Sequence, residues 1–154
     1  MVTLDDFKAN AKTHGICDMV SQWDNAKSKK QLMDIALSIR GIQYIAEAIA
    51  RGWGISPDVI SKEFSAFLNG KYIRNQNGYT SCVYCSPPDK EIIIDTTAAL
   101  IIDFNGIIKV DRHISELHVV KSCAKVICRD SCDIYSYCSD VTSDDNHVLI
   151  KKVQ

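Results

Sequence analysis

Leu117–Thr142 reads LHVVKSCAKVICRDSCDIYSYCSDVT, a run of short strands with apolar or small residues at alternate positions. Val119, Val126, Ile134 and Val141 follow one another at steps of 7, 8 and 7 residues, and Leu117, Ala124, Cys128, Cys132 and Ser136 fall on the same alternation. Strand side chains point to opposite faces with period two, so these residues share one buried face while His118, Lys125, Asp133 and Tyr135 share the other. Single β-branched residues set among Ala, Cys and Ser make the buried face narrow. A narrow face suits a thin core between closely stacked strands, as in a coil of a β-solenoid.

Working outward, the alternating pattern extends back to Lys71. Strands are predicted near Lys71–Arg74, Tyr79–Val83, Glu91–Asp95, Ala98–Phe104 and Ile107–Val110. Asn77-Gly78 supplies the positive φ angles of a hairpin turn, Asn105-Gly106 and Asp111-Arg112 separate later strands, and Pro87-Pro88 breaks the chain. Before Lys71 the period is helical. A short helix ends near Lys12, a second covers about Ile16–Asn25, and the strongest follows the capping pair Ser28 and Gln31, with apolar residues at three- and four-residue steps to Gly52. Gly41 inside that helix predicts a close helix contact or a kink. Ser56-Pro57 starts another helix, which stops at Asn69-Gly70. The expected architecture is α+β: a helical N-terminal half, residues 1–70, a β-hairpin connector, 71–86, and an all-β C-terminal half, 87–154, forming a short β-solenoid or stacked sheet.

With 154 residues, 46% hydrophobic, 24% charged and a formal net charge of −1, the chain belongs to the globular class and has no global attraction to nucleic acid or an anionic membrane. No apolar run approaches the roughly 18 residues of a membrane span, and the acidic start MVTLDDFKANAK lacks the layout of a signal peptide, so a cytoplasmic location is expected. Six of the seven cysteines lie between Cys82 and Cys138. In a reducing compartment Cys128 and Cys132 read as small buried apolar residues.

Cys82-Val83-Tyr84-Cys85 has the spacing of a redox pair or half a zinc site, and is the one weak metal candidate. It ends a strand rather than opening a helix, and residues three apart on a strand face opposite ways, so neither metal nor cofactor is expected. Carboxylates such as Asp95, Asp103, Asp111, Glu116, Asp130 and Asp133 are plentiful, but none forms a paired spacing that singles out an acid and a base. No phosphate loop, nucleophile elbow or His-Glu zinc helix is present, so no enzyme is expected. His118, Lys125, Tyr135 and Tyr137 interleave basic and aromatic residues and form the candidate protein-contact face.

Two further patterns carry resemblances. Ala46 to Lys62 resembles a bacterial helix-turn-helix, with Ala50 as the small residue of the first helix, Gly54 in the turn, and Ile55 and Ile60 buried. That resemblance would place Ser56, Asp58, Ser61 and Lys62 at DNA. Glu63 departs from it by standing where an apolar residue is usual. Ala124 to Val141 resembles short β-solenoid repeats of bacteriophage and mobile-element proteins, through Ala124-Lys125-Val126, Arg129-Asp130-Ser131 and Asp133 to Tyr137. The order SKKQLMDIAL, ISPDVISKEF, FLNGKYIR and GYTSCVYC is similar to that of gut-bacterial and phage proteins to which no activity is attached.

The expected function is therefore a non-catalytic cytoplasmic interaction or assembly module of the kind found in phages and mobile elements. The alternative is a helix-turn-helix DNA-binding regulator with a β dimerisation or sensor module. The expected partner is a protein, or a second copy, bound through the β half, with neither nucleic acid nor membrane involved. The helical half is expected to cap one end of the solenoid, and His147–Val153 to form the strand at the other.

Overall fold

The computed structural model describes residues 4–13, 23 and 25–154. Helices come first: α1 (Leu4–Thr13), α2 (Lys29–Ala36), α3 (Ile39–Arg51) and α4 (Pro57–Glu63), then a 3-10 turn at Ser65–Phe67. Ten strands follow: β1 (Arg74–Gln76), β2 (Tyr79–Cys85), β3 (Glu91–Ile94), β4 (Ala98–Ile102), β5 (Asn105–Val110), β6 (Ile114–Val120), β7 (Cys123–Cys128), β8 (Cys132–Tyr137), β9 (Asp140–Thr142) and β10 (Val148–Val153). The α+β class, with its helices N-terminal, matches the expectation. The helix predicted at Ile16–Asn25 and the Thr3 cap fall almost wholly outside the described residues.

The strands wind into a flattened solenoid. Six lie in one sheet, in the order β1-β2-β4-β6-β8-β10, and four in a second, β3-β5-β7-β9. Every pairing is parallel except the antiparallel β1–β2 hairpin. In register, Cys82 lies beside Ala99, Ala99 beside Leu117, and Leu117 beside Ile134, steps of 17, 18 and 17 residues. Each coil thus contains two of the seven-to-eight-residue strand units visible in the sequence, one in each sheet, plus corners.

At one corner a residue with positive φ follows each of β2, β4, β6 and β8 in the larger sheet: Ser86, Asp103, Lys121 and Cys138, spaced by 17, 18 and 17. The N–H of Ser86 donates to Ile102 C=O, that of Asp103 to Val120 and that of Lys121 to Tyr137, so the left-handed corner backbone is bonded to the next coil. Hydroxyls extend the stack: Ser122 Oγ accepts from Phe104 N–H at 2.9 Å, and Ser139 Oγ accepts from Ser122 N–H at 3.0 Å.

The solenoid interior holds Ala99, Ile101, Leu117, Val119, Ala124, Val126, Cys128, Cys132, Ile134 and Val141. These include the residues assigned to the narrow face from the Leu117–Thr142 pattern, and Ser136 is buried with them. A second core lies on the other side of the six-stranded sheet, where Val83, Leu100, Ile102, Val120 and Tyr137 meet helical residues including Leu32, Ile42, Ile45 and Ile49.

Four expectations need correction. The helices lie across the flank of the solenoid rather than capping its end; the first edge of the larger sheet is blunted instead by β1, three residues long and antiparallel, while β3 begins the smaller sheet. Pro87-Pro88 marks a corner of the first coil and no boundary, because β2 already runs parallel to β4 as part of the solenoid. Asn105-Gly106 opens β5, the turn itself being at Asp103. A Cβ on Gly106 would stand 2.1 Å from Lys90 C=O, so glycine is there to admit the neighbouring coil. The long helix breaks at Leu37-Ser38, where Ser38 Oγ caps α3 by accepting from Gly41 N–H. Gly41 does mark a close contact, since a Cβ on it would lie 2.1 Å from Ile35 C=O and 2.8 Å from Ala36 C=O.

Candidate functional site

The four residues of the expected contact face do not share a surface. Alternation sorts side chains into inward and outward, but the chain reverses at each corner, so outward on β6 and β8 points towards the helices and outward on β7 points the opposite way. His118, Tyr135 and Lys151 occupy one row across β6, β8 and β10, while Lys125 lies on β7 in the other sheet, beside Ile107 and Thr142. His118 and Tyr137 are each only 2% exposed. Lys125 is exposed and pairs with Asp144 at 2.7 Å, which raises the lysine's pKa and lowers the aspartate's.

The His118 cluster is a buried junction. Its Nδ1 lies 2.9 Å from Tyr137 Oη, its ring stacks on Tyr135 at 4.8 Å between centroids, and its Nε2 is 3.7 Å from a Glu116 carboxylate oxygen. Burial pushes the Tyr137 phenol well above its ordinary range. Tyr135 is held between the His118 ring and the Lys151 ammonium, 5.1 Å from its centroid. The cluster thus joins β6, β8 and β10 and offers no open aromatic face.

Cys82 faces the solenoid interior and Cys85 faces the helices, so the two thiols sit on opposite sides of β2 and cannot hold one ion together. Cys82 lies 3.4 Å from Thr96 Oγ1, and Cys85 lies 3.2 Å from Ser61 Oγ. Burial raises both thiols, Cys82 to about 11. Cys128 and Cys132 are likewise buried and raised.

The helix-turn-helix-like segment forms two helices, α3 and α4, joined through Gly52 and Gly54, both with positive φ. Ile55 and Ile60 are buried, as expected. Ser56 caps its own helix by accepting from Val59 N–H, and Ser61 reaches Cys85 on β2. Of the candidate DNA contacts, Asp58 and Lys62 remain exposed, on a helix of seven residues. Glu63 is explained by Lys29, whose ammonium lies 2.8 Å away and lowers the carboxyl pKa.

Two hollows lie among the described residues. An apolar cavity of about 20 Å³ lies between the helices and the larger sheet, lined by Trp23, Leu32, Phe64 and Leu100 among others, with room for about one water. A polar hollow of about 210 Å³ at the first corner is lined by Ser86, Lys90, Asp103 and Lys121, where Ser86 Oγ donates to Asp103 at 2.6 Å.

The two sheets end differently at the last coil. In the smaller sheet β9 covers only Cys123–Lys125 of β7. Side chains dress the rest: Ser143 Oγ donates to Val126 C=O at 2.8 Å, Asp145 accepts from Cys128 N–H at 2.9 Å, and His147 Nε2–H donates to Cys128 C=O at 2.6 Å. In the larger sheet β10 has no strand beyond it among the described residues. A parallel strand bonds its neighbour through alternate residues. Because His147 C=O accepts from Cys132 N–H, Leu149, Lys151 and Val153 continue the ladder to β8, while Val148, Ile150 and Lys152 turn their backbone groups away. Val148 N–H makes a long 3.4 Å bond to Asp145 C=O. The N–H and C=O of Ile150 and Lys152, with Val148 C=O, therefore lie on the open edge. Leu149 is 53% exposed on the helix-side face, over which the helices stop short.

No family model, curated protein or solved structure matches this chain. No described helix is long and apolar enough to cross a membrane. The sequence marked β10 as a strand. That the last coil ends differently in its two sheets depends on the dressing of β7, which only the three-dimensional register reveals.

Proposed function

We propose that this chain is a non-catalytic interaction or assembly module, and that its β half takes a protein strand along the edge of β10. The observation that carries this reading is the contrast between a dressed last coil in one sheet and an open edge of six residues in the other. An edge with unpaired N–H and C=O groups gains backbone hydrogen bonds from an added strand, and side chains on its two faces select which strand. Two polar pairs that could suggest chemistry hold the fold together: His118 Nδ1 with Tyr137 Oη beneath the helices, and Ser86 with Asp103 at a corner.

Hydrogen exchange read residue by residue tests the proposal. In the free protein the amides of Ile150 and Lys152 exchange fast and those of Leu149 and Lys151 slowly; engagement of a partner protects the first pair. Equal protection of all four in the free monomer would contradict an open edge. Sequence-specific DNA binding that is lost in Lys62→Ala would instead favour α4 as the working surface.

A further inference from the structure

The partner strand that β10 fits is β10 of a second copy, and we propose that two chains pair antiparallel about a dyad through Ile150. This inference rests on reading β10 as the partner-binding edge and adds the occupant and the register. An antiparallel ladder joins residues that each present N–H and C=O to the other strand. With Ile150 opposite its own copy, Ile150 N–H donates to Ile150 C=O in both directions, and Lys152 N–H donates to Val148 C=O of the other chain, twice. The groups left open on the edge are thus complementary to themselves. Val148 N–H, which has only its long bond to Asp145, faces Lys152 C=O of the other chain.

The side chains select this register over its neighbours. It sets Leu149 opposite Lys151 and Val148 opposite Lys152, so each exposed lysine lays its aliphatic stem beside an apolar residue of the other copy. Sliding the pair one way brings Lys151 opposite Lys151, and like charges directly opposite destabilise a strand pair. Sliding it the other way sets Leu149 opposite Leu149 but carries Lys152 past the end of β10, with loss of backbone bonds. The two lysines, which discourage indiscriminate edge pairing, thereby favour one arrangement. The fold leaves room for it: the helices lie over β4, β6 and β8 and leave Leu149 and Lys151 uncovered. The two larger sheets would then run on as one. A contact along one strand belongs to the small interface class, below about 1,200 Å² in total, so the dimer should dissociate on dilution.

Disulfide trapping reads the register directly, since residues opposite one another without shared hydrogen bonds have Cα atoms about 4.5 Å apart, close enough to bridge. In a background with Cys17, Cys123 and Cys138 changed to Ser, Leu149→Cys and Lys151→Cys are made separately and oxidised alone and mixed. The expected result is a covalent dimer in the mixture and little in either variant alone. A dimer from Leu149→Cys alone or from Lys151→Cys alone would overturn the register. The companion measurement is binding of a synthetic peptide of residues 147–153 to the wild-type chain. A chain that stays monomeric at every concentration yet binds the peptide refutes the second copy as natural occupant while keeping β10 as a docking edge; one that neither self-associates nor binds the peptide refutes both.

Discussion

Ile94→Ala and Ile93→Ala are neighbouring substitutions of the same chemistry, and the solenoid assigns them very different costs. Ile94 is 0% exposed, while Ile93 is 54% exposed on the outer face of the smaller sheet. Cutting Ile to Ala removes three carbons, and at about 0.8 kcal/mol each the transfer loss at Ile94 is about 2.4 kcal/mol. A cavity left between two close-packed sheets raises this to about 3–4 kcal/mol, within the ordinary range for such truncations. At Ile93 roughly half the side chain is already in water and no cavity forms, so the cost stays near or below about 1 kcal/mol. Equilibrium urea unfolding measures the difference: with a slope of about 1–3 kcal/mol/M, the two midpoints should separate by about 1 M or more. Equal costs, or a larger cost at Ile93, would mean that β3 presents its other face to the core. A one-residue slip of that kind refutes the coil register.

Other consequences can be checked alongside. Gly41→Ala, although favourable for an isolated helix by about 1 kcal/mol, should destabilise by about 2 kcal/mol or more, because the new Cβ meets backbone oxygens of Ile35 and Ala36 that cannot rotate away; a neutral or stabilised variant in thermal melts would contradict the close approach of α2 and α3. Native thiol labelling read by mass spectrometry should reach the exposed Cys123 and Cys138 first and spare the buried Cys82, Cys85, Cys128 and Cys132; rapid modification of Cys128 or Cys132 would contradict the solenoid interior. Alkali should destabilise the fold. Burial raises Cys82 from about 9 unfolded to about 11 folded, so the stability from keeping this thiol neutral is fully present below pH 9 and lost between 9 and 11, at up to about 1.4 kcal/mol per pH unit. A denaturation midpoint that is flat or rises across that interval would be wrong for a buried thiol.

How much of this was legible in the sequence depends on how local each feature is. The inward residues of Leu117–Thr142, from Leu117 to Val141, follow from a two-residue period within single strands, and the structure buries them. Gly41 announced a close approach through its place in an otherwise apolar helix. The coil itself is non-local: Ala99, Leu117 and Ile134 become neighbours across 17 or 18 residues, and nothing in their alternation says that the chain reverses between them. The corner that sets this period is occupied by Ser86, Asp103, Lys121 and Cys138, none of them Gly or Asn, so the usual sign of positive φ is missing. Asn105-Gly106 displays that sign two residues after the real turn, because Gly106 answers to the Lys90 carbonyl.

The same non-locality hid the candidate site. His118, Tyr135 and Lys125 alternate correctly as outward residues, yet His118 lies under the helices and Lys125 on the far flank. Val148–Val153 could be recognised as a final strand with terminal lysines. Its open edge became meaningful only once Ser143, Asp145 and His147 were found bonding β7 in place of another strand.

The measurement that bears most directly on β10 as the partner surface is mass by light scattering over a concentration series, for the wild-type chain beside Ile150→Pro and Lys152→Pro. Proline is tolerated on an edge strand where its missing N–H would have faced solvent, so both variants should keep the β8 ladder, but each removes a donor from the open edge. The account predicts a wild-type mass that climbs from one chain to two, and variants that stay at one chain with near-wild-type circular dichroism. A wild-type mass of one chain throughout, or proline variants that dimerise as readily, would contradict it.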